Sequence, residues 1–145
     1  RDSYHVTYCP FTMELIAADP AGYSGSFTKS WTNIYTSEYD CTLTVEGTFY
    51  PEPVISINVL AESNVNQIRF KNNTTGNEIR LDLDFNAGDE IIISMVTNSI
   101  TINGSQKEFS GSLPTFDIGV NNLVATFTGD SRTIDMDISY RARYL

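Results

Sequence analysis

Apolar and polar residues alternate along much of this chain, and the alternation predicts β-strands. Every second residue is apolar from Ile79 to Phe85, and the same pattern runs from Ile134 to Tyr144. Side chains on a strand point to opposite faces in turn, so each segment buries one face and exposes the other. No segment shows the 3.6-residue period of a helix over a helical length, so we predict an all-β protein. Shorter alternating segments lie at residues 41–49, 55–59 and 68–70.

The positions that the alternation turns inward carry mostly large aliphatic side chains, and we expect them to form the core. They are Leu43, Val45, Ile57, Ile79, Leu81, Leu83, Ile91, Ile93, Ile134, Met136 and Ile138. In the last strand, Tyr140 and Tyr144 continue the inward face. Arg141 and Arg143 continue the outward face, where we expect them to pair with carboxylates on adjacent strands.

Turn signals separate the predicted strands. Residues 72–76 (Asn-Asn-Thr-Thr-Gly), residues 86–89 (Asn-Ala-Gly-Asp) and Asn103-Gly104 predict hairpins. Residues 119–122 (Gly-Val-Asn-Asn) predict a further turn. Many short strands with turns between them, at a spacing of roughly 8 to 12 residues, are typical of an antiparallel β-sandwich or jelly roll.

Two stretches of the chain fit the alternation poorly. Residues 23–39 are rich in Ser, Thr, Gly and aromatic residues, and we predict a long loop or edge region there. Pro51 and Pro53 interrupt the pattern, because proline cannot donate to a central ladder. We interpret them as a kink between two strands of one sandwich, with a hinge between two regions as the alternative. Nearer the start, we predict strands at residues 4–9 and 11–15, followed by a turn at residues 19–22.

Size and charge limit what the protein can do. Its 145 residues suit one domain with a substantial core. Nine basic and eighteen acidic side chains give a formal charge of −9, which argues against a nucleic-acid partner and against an anionic membrane surface. No apolar run approaches the roughly 20 residues that cross a bilayer as a helix. We therefore expect no nucleic acid and no membrane among its partners.

Residues suited to catalysis or metal binding are few. The single histidine, His5, lies in a predicted strand, where a surface position is favoured over a catalytic one. Asp82, Asp84, Asp135 and Asp137 would share one face if their two strands were neighbours, and carboxylates are calcium ligands. Alternate strand residues lie about 7 Å apart, however, and calcium sites usually use folded-back loops, so we interpret these aspartates as solvated. We expect no enzymatic activity, no cofactor and no metal.

Cys9 and Cys41 are the two cysteines, and both lie in strand-like segments. Geometry permits a bridge between neighbouring strands but does not require one. We favour two free, buried thiols over a disulfide, because cysteine is a common core residue.

The order of the pieces in the last part of the chain points to a family. From Asn77 onward it runs strand, Gly-Asp turn, strand ending at an Asn-Gly hairpin, Leu-Pro segment, Gly-Val-Asn-Asn turn and a closing strand ending Tyr-Arg-Ala-Arg-Tyr-Leu. This ordered set resembles the C-terminal domain of siphophage distal tail proteins, the baseplate component often called Dit. The resemblance covers roughly the last 90 to 100 residues well and the first 50 loosely.

The resemblance implies a galectin-like jelly roll in a structural, non-enzymatic component of a phage or prophage tail tip. Such a component takes part in baseplate assembly and host attachment, with other tail and baseplate proteins as partners. It also implies that the full-length protein is a homohexameric ring, assembled in the host cytoplasm and carried in the virion. We interpret residues 1–145 as a single β-sandwich domain and a fragment of a longer tail protein. Whether residues 1–50 include strands that link to a missing N-terminal ring domain stays open.

The alternative function is a carbohydrate-binding module for bacterial surface or cell-wall glycans. Trp31, the single tryptophan, lies near Tyr23, Tyr35 and Tyr39, and aromatic rings can stack on sugars. These four residues are the candidate glycan or partner contacts. The competing interpretation is that the rings plug one end of the sandwich or pack against a missing domain. An exposed Trp31 favours sugar binding and a buried one favours a scaffold; the galectin sugar motifs His-x-Asn-x-Arg and Trp-Gly-x-Glu do not occur.

Overall fold

The computed structural model describes residues 22–61 and 63–144, which form an antiparallel β-sandwich of two sheets. Within these residues all regular structure is strand, and no helix of membrane-spanning length and apolarity occurs. The prediction of an all-β antiparallel sandwich is confirmed. The strands are β1 (Gly22–Ile34), β2 (Glu38–Val45), β3 (Val54–Val59), β4 (Asn64–Asn72), β5 (Glu78–Leu81), β6 (Phe85–Asn86), β7 (Glu90–Ser94), β8 (Ser99–Ile102), β9 (Ser105–Lys107), β10 (Ser110–Gly111), β11 (Gly119–Ser131) and β12 (Ile134–Tyr144).

The strand order places distant parts of the sequence side by side. The first sheet has the order β1-β12-β3-β7-β8-β9, and the second has the order β10-β5-β4-β11-β2 with β6 beside β4. β1 therefore pairs with β12, which sets Phe27 opposite Tyr140 and Trp31 opposite Met136. The beginning and the end of the described chain meet in one sheet.

The core lies between the two sheets and is aliphatic and aromatic. Ile57 and Ile93 from the first sheet and Phe70 and Phe127 from the second are fully buried. Burying a side chain of this kind contributes about 1.5 to 3 kcal/mol relative to leaving it exposed. Every residue that the sequence assigns to the core is buried except Leu83. The predicted strand register is therefore correct for most of the chain.

Leu83 is 38% exposed, so its predicted core position is wrong. β4 pairs Ile68 with Leu81 and Val65 with Phe85. β4 thus advances three residues while its partner chain advances four, from Leu81 to Phe85. The extra residue breaks the period-two alternation, as a bulge does, and Leu83 turns outward.

Two of the predicted hairpins are confirmed. Residues 72–76 connect the paired strands β4 and β5, and Asn103-Gly104 connects β8 and β9. Asn103 has φ 50° and Gly104 has φ 77°. A two-residue hairpin of the primed type needs positive φ at both positions, and Asn-Gly meets that need with little strain.

Two turn predictions are wrong. Residues 86–89 do turn the chain, but they lead from β6 in the second sheet to β7 in the first, so they form no hairpin. Turn chemistry reverses the chain locally and carries no information about which sheet the next strand joins. Residues 119–122 lie within β11, where Gly119 pairs with Val45 and Asn122 with Thr42.

The predicted loop at residues 23–39 is mostly strand. β1 and β2 occupy most of it, and each lies at an edge of its sheet, as the edge alternative proposed. Only Ile34 of β1 is buried. An edge strand that buries so little shows little alternation in its sequence, which explains the wrong prediction.

The proline segment crosses from one sheet to the other. Pro51 and Pro53 are buried and lie between β2 of the second sheet and β3 of the first. Cys41 is a buried free thiol on β2. The strands and turn predicted before residue 22, with His5 and Cys9, lie outside the described residues.

Candidate functional site

The four aromatic residues that the sequence suggested as glycan or partner contacts do not lie together in the structure. Tyr23 and Trp31 lie on β1, Tyr35 follows the end of that strand, and Tyr39 lies on β2 in the other sheet. Tyr23 is 41% and Tyr35 63% exposed, whereas Trp31 and Tyr39 are half-buried and pack against the core. Because Tyr23 and Tyr35 lie at opposite ends of β1, the four rings form no single surface. Contact of any of them with a glycan or a partner stays a prediction.

The pairing of β1 with β12 builds a different group at the Tyr23 end. We name Tyr23, Phe49, Arg141 and Arg143 the arginine–aromatic cluster. Cζ of Arg141 lies 4.9 Å from the ring centroid of Tyr23. Cζ of Arg143 lies 5.6 Å from the centroid of Tyr23 and 4.8 Å from that of Phe49. The strand register sets Tyr23 opposite Arg143, and an isolated bridge joins Phe49 to Arg143.

The two arginines differ in their other partners. Nη1 of Arg143 lies 3.5 Å from a carboxylate oxygen of Glu52, and the Arg143 side chain is only 13% exposed. Nε of Arg141 donates to the backbone carbonyl of Ser24 at 3.3 Å. Arg143 thus has a carboxylate partner, but Glu52 lies between β2 and β3 and not on an adjacent strand as predicted. Within residues 22–61 and 63–144, Arg141 contacts a ring face and a carbonyl. Tyr144, predicted to point inward, is 42% exposed.

The arginine–aromatic cluster borders an open cavity of about 360 Å³. Val54, Val96, Ser26 and Ser139 complete much of its wall. Cation–π contacts contribute roughly 0.5 to 1 kcal/mol when exposed and about 2 when desolvated. The cluster therefore ties β1 and the proline segment to the last strand, which is a structural role.

The outer face of the second sheet carries charges that neutralise one another. Nη2 of Arg69 lies 2.8 Å from Oε2 of Glu78, and Nε of Arg80 lies 2.8 Å from Oδ2 of Asp82. Hydrogen bonds from Arg80, and then from Gln67, hold the pKa of the Asp82 carboxyl below its usual value. These two ion pairs lie on a partly hydrated face of the sheet.

The aspartates considered for a cation site do not share a face. Asp82 and Asp84 follow β5 in the second sheet, whereas Asp135 and Asp137 lie on β12 in the first. Oδ1 of Asp135 accepts a hydrogen bond from the backbone amide of Asn33 at 2.8 Å. In the part of the chain that the structure describes, no three His, Cys, Asp or Glu side chains gather as a metal site would require.

One polar network is buried, and the sequence did not predict it. Asn72 and Asn121 are fully buried, and Nδ2 of Asn72 donates to Oδ1 of Asn121 at 2.9 Å and to the carbonyl of Thr115 at 2.8 Å. The Asn121 amide bonds both backbone groups of Asp117, accepting from its N–H at 3.0 Å and donating to its carbonyl at 2.8 Å. Buried amides of this kind must be satisfied, so the network fixes residues 115–117 against the sandwich. Both asparagines lie in segments whose sequence is typical of exposed turns, so the sequence does not indicate that they are buried.

Comparisons with known proteins agree with this fold. A family model described as the siphovirus-type tail component, C-terminal domain, matches residues 32–144. The crystal structure of the Dit protein of phage SPP1, titled a paradigm of the hub adsorption apparatus in phages infecting Gram-positive bacteria, matches with a TM-score of 0.65 and 14% sequence identity. The match covers 88% of this chain and 50% of that one, so this chain spans about half the length of SPP1 Dit. No curated protein sequence matches the chain.

The two matches carry different weight. At 14% identity, the likeness to SPP1 Dit shows the fold alone. The family model covers far more than half of the chain, from the last residues of β1 to the end of β12, and it agrees with the resemblance found in the sequence. This chain therefore belongs to the siphovirus-type tail component family and carries its C-terminal domain, as distal tail proteins do.

Proposed function

We propose that this chain is the C-terminal domain of a distal tail protein that takes part in baseplate assembly and host attachment. The observation that carries the proposal is the family match over residues 32–144. The shared fold with SPP1 Dit, whose structure is titled a paradigm of the hub adsorption apparatus, supports the finer role. The half-buried Trp31 supports a scaffold over a sugar site at that ring. In this role the domain has no catalytic activity and needs no cofactor.

The proposal includes a longer protein. The full-length polypeptide forms a homohexameric ring through an N-terminal domain, and its partners are other tail and baseplate proteins. The 50% coverage of SPP1 Dit supports a second domain of similar size. The ring joins the tail in the host cytoplasm and remains in the virion. The charge of −9 supports a role without nucleic-acid or membrane contact.

Labelling of virions tests the assembly role. Gold-labelled antibodies against this domain are bound to virions of the phage or induced prophage that encodes it, and the particles are imaged by electron microscopy. We expect gold at the tail tip. Gold along the whole tail tube, or virions without the protein, contradicts the proposal. Antibodies against the major tube protein provide the control pattern.

Adsorption tests the attachment role separately. Fab fragments of the same antibodies are incubated with virions before the host cells are added, and unadsorbed phage are counted over time. We expect slower adsorption than with Fab fragments against the tube protein. If virions that carry the label at the tail tip adsorb at an unchanged rate, the attachment role is contradicted, while the assembly role still stands.

A further inference from the structure

A second cavity, of about 560 Å³, opens at one end of the sandwich, and we name it the end cavity. It lies between the proline segment, the turn after β4 and residues 115–117. Phe116 is 1% exposed and forms its base, whereas Tyr50 is 57% exposed and forms an open wall. The volume falls in the range of small-molecule sites, which combine apolar walls with a few placed polar groups.

The polar groups of the end cavity are mainly hydrogen-bond acceptors; the exception is the hydroxyl of Thr74, which accepts from a backbone amide at 2.9 Å and keeps its own proton. The hydroxyl of Thr75 donates a hydrogen bond to the carbonyl of Thr115 at 3.1 Å, and the hydroxyl of Thr115 donates one to Oδ1 of Asn77 at 3.0 Å. Both oxygens keep lone pairs. No cation among the described residues forms an ion pair with the Asp117 carboxylate. A ligand that satisfies this cavity must therefore bring mainly donors, with an acceptor for the Thr74 hydroxyl.

The end cavity is held in place before any ligand arrives. The buried pair Asn72 and Asn121 bonds the backbone of Thr115 and Asp117, on either side of Phe116. The Tyr50 ring lies 5.9 Å from that of Phe49 at a tilt of 56°, so it has a ring contact on one side. A site ordered in advance loses less entropy when it binds.

We propose that the end cavity binds a neutral sugar, a pyranose residue of a cell-surface or cell-wall glycan. The apolar face of the sugar lies on the Tyr50 ring, and its hydroxyls donate to Thr75, Thr115 and Asp117. Anionic sugars and phosphates are excluded, because the Asp117 carboxylate and the charge of −9 repel them. This activity goes beyond the structural role in the tail and does not depend on it.

The test is a titration of the full 145-residue chain followed by two-dimensional amide NMR. The neutral probes are methyl glucoside, methyl galactoside and N-acetylglucosamine, and the anionic probes are glucuronic acid and glycerol phosphate. We expect at least one neutral probe to shift the amides of Thr75, Thr115, Phe116 and Asp117, and the anionic probes to leave them in place. Titration to about 100 mM detects even a Kd of about 10 mM.

Two variants sharpen the test. Tyr50→Ala removes the stacking surface and is expected to weaken binding by at least about tenfold. The matched control Tyr35→Ala removes a similarly exposed ring elsewhere and is expected to leave binding unchanged. Asp117→Asn keeps an acceptor oxygen but removes the charge, so glucuronic acid then shifts the same amides.

Four results overturn the proposal: no shift with any neutral probe, shifts centred on Trp31, equal binding of anionic and neutral probes to the wild type, or unchanged binding by Tyr50→Ala. The amide spectrum away from the cavity shows in each case that the variant is folded.

Discussion

Ile57 shows how one side chain is held in this fold. It lies on β3, opposite Met136 of β12 on one side and Ile91 of β7 on the other, and its exposed fraction is 0%. Leu83 is of similar size but 38% exposed, because it lies in the break between β5 and β6. Comparing the two residues therefore shows how burial affects stability when the size of the side chain is nearly constant.

Truncation to alanine tests this difference. Ile57→Ala is expected to lower the free energy of unfolding by about 2 to 5 kcal/mol, through lost burial and a residual cavity. Leu83→Ala is expected to change it by only about 0.5 kcal/mol, since the side chain already meets water. Urea unfolding of both variants and the wild type gives the comparison. Equal losses would show that Leu83 packs in the core after all.

Cys41 behaves as a small apolar residue rather than a reactive thiol. It is 9% exposed on β2, and burial, with a smaller effect from Asp40, raises its pKa from 9.0 to about 12. In the unfolded chain the thiol ionises near its ordinary value, so above that pH the unfolded state releases a proton that the folded state keeps. The stability that Cys41 contributes is therefore present below about pH 9 and is lost as the pH rises towards 12.

The pH dependence of Cys41→Ala tests this assignment. Urea unfolding of the wild type and the variant is measured from pH 8 to pH 11, so that all other titrating groups are common to both proteins. We expect the stability advantage of the wild type to shrink as the pH rises. Parallel curves would mean that the folded thiol titrates near its ordinary pKa.

At the scale of elements, β12 connects the two sheets. It lies between β1 and β3, and the Tyr140 ring stacks on Phe27 at a centroid distance of 5.3 Å. The hydroxyl of Tyr140 donates to the carbonyl of Thr44 at 3.1 Å and accepts from the amide of Glu46 at 3.3 Å. The strand thereby bonds the opposite sheet, and Arg143 near its end contacts Phe49 and Glu52 beside the prolines.

The two arginines of β12 are expected to differ in their effect on stability. Arg143→Gln is expected to cost about 1 to 3 kcal/mol, because it removes contacts with two rings and Glu52 from a side chain only 13% exposed. Arg141→Gln is the matched change at an exposed position and is expected to cost less than about 1 kcal/mol. Urea unfolding compares them. A larger loss of unfolding free energy in Arg141→Gln than in Arg143→Gln would mean that the exposed contacts of Arg141 stabilise the fold more.

For the whole molecule, the sandwich covers its own core. Among the described residues, Tyr35, Val96 and Val120 are large exposed apolar side chains on different strands and turns, and Tyr23 and Val96 are two that border one cavity. Scattered exposed residues are normal for a monomer, and a charge of −9 opposes self-association.

We therefore expect the isolated chain to be a folded monomer or a weak oligomer at micromolar concentration. The reason is that the proposed function assigns the contacts of the hexameric ring to an N-terminal domain. Light scattering coupled to size exclusion measures the mass. A stable hexamer of this chain would place ring contacts within residues 1–145.

What the sequence could predict depends on how local the signal is. The alternation from Ile134 to Ile138 and the Asn103-Gly104 turn are properties of a few consecutive residues, and both are confirmed. The same local rule failed at Leu83, where one extra residue between paired positions shifts the alternation. It also failed on β1, whose edge position leaves little buried surface to show a pattern.

By itself the sequence determined strands, faces, most of the core and the family, because backbone geometry and side-chain burial repeat with a fixed local period. Only the tertiary structure decided which strands are neighbours. It brought Tyr23 to Arg143 through the pairing of β1 with β12, buried Asn72 against Asn121, and placed Tyr50 and Thr75 on the wall of one cavity. Strand partners are selected by the burial of the whole chain at once, and that sum cannot be computed from any one segment.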